Sequence, residues 1–359
     1  MGAATSWRLA KRGADVVCFD RHSPPHADGS SHGESRIIRT AYFEGAYYVP
    51  LIHESFELWR ELESVSGQQL LRMTGALMIG TESSEAVTGA LASARQHDLD
   101  VELLRPADLR RRYRGHVVRP EEVAVLDRQA GILHPEGAVT AMLARVPEVR
   151  RETHIGSAEE LLGEFDAVVL AAGPWTPELV QGIPLEIERQ VHAWFSIARD
   201  ADWFAPDRCP VFVRQTEDFG DVYGFPTLDG QTVKVGRHHD GDFTDPDHIR
   251  RRVDEVDLDP LRLMTARYLR GVSGHVRRTL TCMYTNTPDH DFVIDFSPRD
   301  RRVVVLSPCS GHGFKFAPVI GDIAADLVLD GSTRRDISRF SATRFATPPH
   351  VPDDNSHRD

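Results

Sequence analysis

The sequence predicts an α/β protein, in which a Rossmann-like domain with a parallel sheet carries an inserted domain with an antiparallel sheet. Three observations predict this fold. Near the N-terminus, residues 3–20 read as a helix and a short strand that ends in an acid. Residues 166–173 and 302–306 are apolar without alternation, as buried parallel strands are. Residues 186–280 instead contain several alternating runs, which are typical of antiparallel strands.

The composition is that of a globular protein long enough for two domains, with 359 residues, 41% of them hydrophobic and 27% charged. The net charge of −12 argues against nucleic acid and anionic membrane surfaces as general partners. No apolar run reaches the roughly 18 residues of a membrane span, so we expect no membrane segment. The four cysteines show neither metal-type spacing nor a disulfide framework. We therefore expect a cytoplasmic protein without a metal site.

The N-terminal helix and strand match the second half of a dinucleotide-binding unit. Residues 3–12 favour a helix, Gly13 suits its C-cap, and residues 15–19 read as a strand before Asp20. In such a unit the last glycine of G-x-G-x-x-G opens the helix, and an acid about 20 residues later binds the ribose hydroxyls. Gly2 and Asp20 are 20 − 2 = 18 residues apart. Gly2 therefore fits the last glycine, and Asp20 fits the acid.

Hydrophobic periodicity predicts most of the other elements. We expect helices at residues 47–65, 84–97, 106–112 and 137–146. We expect strands at residues 74–79, 166–173, 191–197, 211–213, 222–225 and 232–237. The strand at 166–173 ends in small residues, which allow the backbone to approach a ligand closely.

A further strand and helix enclose a glycine-rich turn. The buried strand at 302–306 leads through residues 310–315 into a helix that opens at Pro318 and stops at Gly331. A turn between a parallel strand and a helix N-terminus is where open α/β sheets bind ligands. The partial positive charge of the helix end would stabilise an anionic group there.

Two motifs in residues 281–316, CMYTNTPDHDFVID and SGHGFKF, resemble those of the monomeric sarcosine oxidase and N-methyltryptophan oxidase family. Members of that family are flavin amine oxidases with a D-amino acid oxidase-like fold, and the likeness covers most of the chain. Cys282 and Tyr284 lie two apart in a β-branched run, so a strand would place both on one face. The resemblance implies that Cys282 carries FAD through a thioether to its 8-methyl group. From composition alone, Cys282 would be a buried structural thiol.

The resemblance also implies residues around the FAD and the substrate. The segment HGESRIIR, from His32 to Arg39, is similar to a family motif H-G-[DE]-[ST]-R-x-x-R. It implies that His32, Ser35 and Arg36 lie near the flavin, and that Arg39 and Lys315 bind the substrate carboxylate. Arg36 and Arg39 are three apart, so a helical turn would place them on one face; the alternative is a solvated surface pair. The implied cofactor-binding residues are Gly2, Asp20, Ser35, Arg36, Gly173, Trp175, Cys282, Gly311, His312, Gly313, Phe314 and Lys315.

A third motif supplies candidate catalytic residues in addition to His32 and Arg36. The runs YGFP at 223–226 and KVGRH at 234–238 resemble family segments. Lys234 is implied to lie near flavin N5, where a cation stabilises negative charge on dioxygen. Tyr223, His238 and Tyr284 are implied to line the substrate cavity. Taken singly, each could instead be an ordinary half-buried core residue.

The activity that the resemblance implies is oxidation of an N-methyl or other secondary amino acid by a monomeric FAD enzyme. Hydride transfer to the flavin would leave an imine, imine hydrolysis would release formaldehyde, and O2 would be reduced to hydrogen peroxide. The runs AWF at 193–195 and KVGRH look closer to the N-methyltryptophan oxidase branch than to sarcosine oxidase. Open alternatives are an oxidase of a cyclic imino acid or a fructosyl amino acid, a relative that binds no FAD, and a nicotinamide-dependent dehydrogenase.

The predicted domains are discontinuous. We expect an FAD-binding domain at residues 1–50, 130–185 and 281–345, a substrate domain at residues 51–129 and 186–280, and a disordered tail at 346–359. Family members begin with a hydrophobic strand and the first two glycines of G-x-G-x-x-G, whereas this sequence starts at the last glycine. We expect an in-frame segment upstream of Met1 to supply them.

Overall fold

The structure is a computed structural model, and it describes residues 1–345. Its α-helices are α1 (Gly2–Lys11), α2 (Val49–Ser66), α3 (Glu85–His97), α4 (Pro106–Arg112), α5 (Pro135–Leu143), α6 (Thr176–Leu179), α7 (Glu255–Tyr268) and α8 (Ala317–Asp330). Its strands are β1 (Val17–Phe19), β2 (Arg36–Ile38), β3 (Leu71–Met73), β4 (Ala76–Thr81), β5 (Val101–Leu104), β6 (Glu122–Asp127), β7 (Gly131–Leu133), β8 (Glu148–Arg150), β9 (Val168–Leu170), β10 (Glu186–Ile197), β11 (Val211–Thr216), β12 (Gly220–Gly224), β13 (Thr232–His238), β14 (Val272–Asn286), β15 (Val293–Phe296) and β16 (Val303–Ser307).

The α/β part of the molecule contains two short parallel pairings. Strand β1 pairs with β8, and β16 lies between β9, to which it is parallel, and the antiparallel β15. Helices α1, α2, α5 and α8 contribute to one hydrophobic core with β15 and β16, because their apolar faces all point inward. Strands β1 and β9 both border a large cavity. This part confirms the predicted α/β fold.

The second large unit is an eight-stranded sheet in the order β14-β10-β13-β12-β11-β4-β6-β5. Its pairings are antiparallel except for β11 and β4, which run parallel, so the sheet is mixed rather than purely antiparallel as predicted. Strand β14 is continuous across residue 281, where we predicted a domain boundary. The boundaries themselves stay predictions, as does the tail at 346–359, which lies outside the described residues.

A small sheet holds the first arginine motif in an extended conformation. Strand β2 pairs with β7, which pairs with β3. The prediction that Arg36 and Arg39 share a face of a helical turn is therefore wrong, because Arg36 begins a strand in which successive side chains alternate in direction. Cross-strand hydrogen bonds, which spacing within the motif does not reveal, select the strand.

Most predicted helices and strands are present, and their ends carry the expected stop signals. Helix α2 ends at Gly67 and α8 at Gly331, both left-handed with φ of 68° and 72°. Helix α7 was not predicted, although its capping box of Asp254 and Asp257 is visible in the sequence. Among the described residues, no helix is long and apolar enough to cross a membrane.

Candidate active site

A large cavity, here called the main cavity, has a volume of about 1140 Å³. It runs between the α/β part and the large sheet. Every predicted site residue lines it except His32, which is buried but does not reach the cavity surface. Burial and the neighbouring Arg36 charge lower the pKa of His32 to about 4, so it is neutral at physiological pH.

Two buried cations that line the main cavity contact Tyr42. The Arg39 guanidinium carbon is 4.4 Å from the Tyr42 ring centroid, and Lys315 Nζ is 3.2 Å from the Tyr42 hydroxyl. Arg39 is 3% exposed and Lys315 is 6% exposed. Two shielded positive charges so close together form a strong attraction for a carboxylate.

Glu44 is the internal carboxylate partner of this pair. Both of its oxygens accept hydrogen bonds from Nη2 of Arg39. Burial would raise the pKa of Glu44, but the charges of Arg39, His312 and Lys315 outweigh burial and lower it to about 2. Burial and the Arg39 charge lower the pKa of Lys315 to about 7. A substrate carboxylate would therefore meet Arg39, a permanent cation that also binds Glu44. It would also meet Lys315, which is about half-protonated near neutral pH.

Lys315 is held rigidly by the turn that precedes α8. Its Nζ donates to the carbonyl of His312 at 2.7 Å, and its own carbonyl accepts from Ser55 Oγ at 2.5 Å and Trp59 Nε1 at 2.9 Å. The His312 ring bridges the Tyr42 hydroxyl at 2.7 Å and the carbonyl of His290 at 3.1 Å. These bonds place the ammonium without help from a ligand.

Lys234 on β13 is the second buried lysine of the main cavity. Its Nζ donates to the carbonyl of Gly33 at 2.7 Å and to Oγ of Ser35 at 3.1 Å, and it lies 4.8 Å from the Phe225 ring centroid. No carboxylate within the described chain forms an ion pair with it. Burial and the Arg36 charge lower its pKa well below the usual value. The chain contains three lysines, and the other one, Lys11, is exposed.

Cys282 lies on β14 beside Arg36. Its Sγ is 3.8 Å from Nη2 of Arg36 and 3.8 Å from the carbonyl of Ser30. The same nitrogen donates to the Ser30 carbonyl at 2.7 Å, so the guanidinium is fixed next to the sulfur. A positive charge beside the sulfur is the environment in which cysteine reacts as a nucleophile.

Aromatic side chains form one wall of the main cavity. His238 Nδ1 lies 3.1 Å from the Tyr284 hydroxyl, and the Tyr223 ring packs edge-on against His238 at 6.4 Å. Gly311, with a φ of 75°, lies against this wall, and a Cβ there would come within 2.6 Å of His238 and 2.7 Å of Tyr284. Only glycine permits both that backbone conformation and this close approach.

The opposite end of the main cavity contains the N-terminus of α1. Gly2 begins this helix, and Asp20 follows β1 with its Oδ1 accepting from the His22 amide at 2.8 Å. Gly173, with a φ of 56°, leaves open space beside it. Trp175 is directed toward the rim, where its Nε1 donates to Asp247 at 2.8 Å.

The main cavity fits the predicted flavin dinucleotide. Its volume exceeds the roughly 300–1,000 Å³ that is usual for small-molecule sites. Its wall includes two buried polar atoms without a hydrogen-bond partner in the described chain, the Tyr223 hydroxyl and His192 Nδ1. Such atoms call for a polar ligand. Gly2, Asp20, Arg36 and the turn at 311–315 are the residues that would hold it.

Three residues of this site escaped the sequence reasoning: Tyr42, Glu44 and His192. Tyr42 and Glu44 follow the arginine motif directly, but only the fold brings them to Lys315. His192 lies on β10 and lines the main cavity. The alternation of apolar residues along this strand is the sequence signal that could have identified its direction. Among residues 1–345, no group of His, Cys, Asp and Glu side chains is arranged to hold a metal.

Comparisons with known proteins place this geometry in a family. A family model described as FAD dependent oxidoreductase (DAO) matches residues 1–327. The chain is 36% identical to a monomeric sarcosine oxidase of Streptomyces avermitilis, over 97% of this chain and 96% of that protein. It is 33% identical to an N-methyl-L-tryptophan oxidase of Yersinia pestis, over 96% of each chain.

Solved structures show the same fold. NikD, an amino acid oxidase essential for nikkomycin biosynthesis, superposes with a TM-score of 0.80 at 24% identity, over 94% of each chain. Glycine oxidase from Geobacillus kaustophilus superposes with a TM-score of 0.76 at 17% identity, over 96% of this chain and 95% of that one. On the family match and the two sequence relatives, the chain belongs to the DAO family of FAD-dependent oxidoreductases, in the group that contains monomeric sarcosine oxidase and N-methyl-L-tryptophan oxidase.

Proposed function

We propose that this FAD-dependent oxidoreductase oxidises an N-methyl or other secondary α-amino acid and uses dioxygen as the electron acceptor. For an N-methyl substrate, one amino acid, one O2 and one water give the demethylated amino acid, formaldehyde and hydrogen peroxide. The names of the relatives, a monomeric sarcosine oxidase and an N-methyl-L-tryptophan oxidase, support this substrate class. The first of those names also supports a monomer.

The observation that carries the proposal is the pair of buried cations around Tyr42. A free α-carboxylate is the one group common to all such substrates, and Arg39 with Lys315 offers it both charge and hydrogen-bond donors. Because Glu44 already occupies Arg39, a substrate carboxylate would bind in competition with Glu44. The site thereby selects amino acids over simple amines, because a simple amine has no carboxylate to displace Glu44 from Arg39.

The aromatic wall supports the choice of a secondary amine. A carboxylate at Arg39 and Lys315 would share the main cavity with Tyr223, His238 and Tyr284. Burial lowers the pKa of His238 well below its usual value, so its ring is neutral and adds no charge beside the substrate nitrogen. The carbon of an N-alkyl group can pack against this uncharged, aromatic surface, and a primary amine lacks that carbon.

Bound FAD would accept the hydride equivalent from the carbon next to the amine nitrogen and return electrons to dioxygen. The residues that would hold it are Gly2 and Asp20 at one end and the turn at 311–315 at the other. Cys282, with Arg36 beside its sulfur, is our candidate for a covalent link to the cofactor. Lys234 is our candidate for stabilising negative charge on dioxygen, since it has no carboxylate partner among the described residues.

The experiment that tests the proposal is anaerobic mixing of the purified yellow enzyme with sarcosine, N-methyl-L-tryptophan, L-proline and glycine. We expect a secondary amino acid to bleach the flavin absorbance, and admission of air to restore it with equal amounts of formaldehyde and peroxide when the substrate is N-methylated. N-methyltryptamine, which lacks the carboxylate, is the matched control and should not reduce the flavin. Bleaching by N-methyltryptamine as fast as by N-methyl-L-tryptophan would contradict the assignment of Arg39 and Lys315. A colourless protein would contradict FAD binding.

A further inference from the structure

Asp127 is a fully buried carboxylate that lies behind the main cavity. It is the last residue of β6 in the large sheet, it is 0% exposed, and it is not among the residues that line the cavity. No side chain among residues 1–345 forms an ion pair with it. A buried charge without a counter-ion is costly unless hydrogen bonds satisfy it, so its hydrogen-bond donors show what it holds.

Three of the four donors to Asp127 come from the two residues that directly follow Arg39. Its Oδ2 accepts from the backbone N–H groups of Thr40 at 2.6 Å and Ala41 at 2.9 Å, and from the Thr40 hydroxyl at 3.0 Å. Its Oδ1 accepts from the backbone N–H of Gln129 at 2.8 Å. Hydrogen bonds to an ionised acceptor are stronger than neutral ones. Asp127 therefore fixes the backbone just beyond Arg39.

That backbone in turn binds the Arg39 guanidinium. The carbonyl of Ala41 accepts from Nη1 of Arg39 at 3.1 Å, whereas Nη2 is bound by Glu44. Ala41 thus donates its N–H to Asp127 and accepts from Arg39 with its carbonyl. A shift of the Ala41 backbone would move the guanidinium that we assign to the substrate carboxylate.

Helix α3 holds the next two residues from the same side. Ser93 Oγ donates to the carbonyl of Tyr42 at 2.5 Å. A Cβ on Gly89 would come within 2.5 Å of the carbonyl oxygen of Phe43, so the helix and the segment are in direct backbone contact. Neither Ser93 nor Gly89 lines the main cavity. Residues 40–43 are therefore fixed from behind.

We infer that Asp127 is a positioning residue for carboxylate binding, which acts on Arg39 through the backbone of Thr40 and Ala41. This inference rests on the proposed function, in which Arg39 binds the substrate carboxylate. Asp127 itself makes no contact with the ligand. Its loss should misplace Arg39 and leave Lys315 unaffected, because the Lys315 ammonium is held by the turn before α8.

The test measures acetate binding to the oxidised holoenzyme from the change in flavin absorbance. Asp127→Asn keeps the size of the side chain but removes the charge and one acceptor oxygen, so we expect the dissociation constant of acetate to rise about tenfold. The matched control is Asp295→Asn. Oδ2 of Asp295 also accepts from a hydroxyl and a backbone N–H, those of Ser341 and Ala342, but it has no hydrogen bond to residues 39–44. We expect Asp295→Asn to bind acetate as the parent does.

The pH profile separates positioning of Arg39 from general damage to the site. The pKa of Lys315 is lowered to about 7, so acetate affinity should still fall through that pH in Asp127→Asn, from a lower starting value. Loss of the pH dependence together with the affinity would overturn the inference, because it would show that both cations are displaced.

A milder variant covers the case in which Asp127→Asn does not fold. Thr40→Val removes only the hydroxyl that donates to Asp127, and we expect acetate to bind about threefold more weakly. Parent-like acetate binding in every folded variant of Asp127 and Thr40 would overturn the inference. Absence of an acetate response in the parent enzyme would instead contradict the proposed carboxylate site at Arg39 and Lys315.

Discussion

The sulfur of Cys282 lies 3.8 Å from the Nη2 atom of Arg36, and both side chains line the main cavity. Arg36 is fixed there by the carbonyls of Ser30 and Ser35, at 2.7 and 2.9 Å. These two hydrogen bonds hold the guanidinium beside the sulfur. A thiol next to a fixed positive charge is suited to act as a nucleophile, and we propose Cys282 as the residue that would be linked to the flavin.

The first prediction concerns the covalent link. Cys282→Ser should release its flavin on acid precipitation, and the mass of the polypeptide should fall by one FAD relative to the parent. The matched control is Cys309→Ser, because Cys309 also lines the main cavity and is also a free thiol. An adduct that persists in Cys282→Ser and disappears in Cys309→Ser would move the link to Cys309.

The second prediction concerns competition for Arg39. Both oxygens of the Glu44 carboxylate accept hydrogen bonds from Arg39, and Glu44→Gln removes that carboxylate. Acetate should therefore bind about tenfold tighter, which corresponds to roughly 1.4 kcal/mol of binding free energy. Flavin absorbance titration measures the dissociation constant. Glu178→Gln, at a carboxylate that lines the main cavity without an Arg39 contact among the described residues, should leave it unchanged. Weaker acetate binding in Glu44→Gln would show that Glu44 positions Arg39 rather than competes for it.

The third prediction is a pH dependence of carboxylate binding. Because the pKa of Lys315 is lowered to about 7, this side chain is charged below that pH and neutral above it. Affinity for acetate should therefore be highest below pH 7 and fall as pH rises through it. In Lys315→Met the affinity should be lower at pH 6 and nearly independent of pH from 6 to 8. A variant that retained the full pH profile would assign it to another group.

The fourth prediction separates the two half-reactions at Lys234. Lys234→Met keeps most of the side-chain volume but removes the ammonium, so reoxidation of the reduced enzyme by dioxygen should slow by about 10²-fold or more. Reduction by substrate in anaerobic stopped-flow should change far less. Lys11→Met, at the exposed lysine, is the control and should match the parent in both steps. A loss confined to the reductive step would place Lys234 at the substrate instead.

The fifth prediction concerns the turn before α8. Gly311→Ala introduces both a strained backbone and a Cβ within 2.6 Å of His238, so it should lower the free energy of unfolding by about 1–3 kcal/mol and weaken substrate binding. Gly331→Ala has a similar φ of 72° but open space around the new Cβ. In urea denaturation, Gly331→Ala should lower the free energy of unfolding by less than Gly311→Ala does. It should leave substrate binding unchanged. Equal losses in the two variants would show that backbone strain alone decides the outcome.

Much of the fold followed from local patterns. The apolar runs at 166–173 and 302–306 contain the strands β9 (Val168–Leu170) and β16 (Val303–Ser307), and Gly67 and Gly331 end helices in the left-handed conformation that glycine favours. Helix α7 was missed, because an alternating sheet pattern on both sides of it dominated the interpretation of residues 186–280. The arginine motif was assigned the wrong conformation, because its strand exists only through pairing with β7.

The sequence by itself determined the family, the α/β class and the motif residues, since periodicity, turn glycines and short motifs are properties of neighbouring positions. Tertiary structure decided which charges meet. Glu44 pairs with Arg39, Lys315 reaches Tyr42 across 273 positions, and Arg36 lies against Cys282 across 246. These contacts set the charge and protonation of the site, because electrostatic interaction in a buried cavity depends on distance and dehydration, and neither is encoded in spacing along the chain.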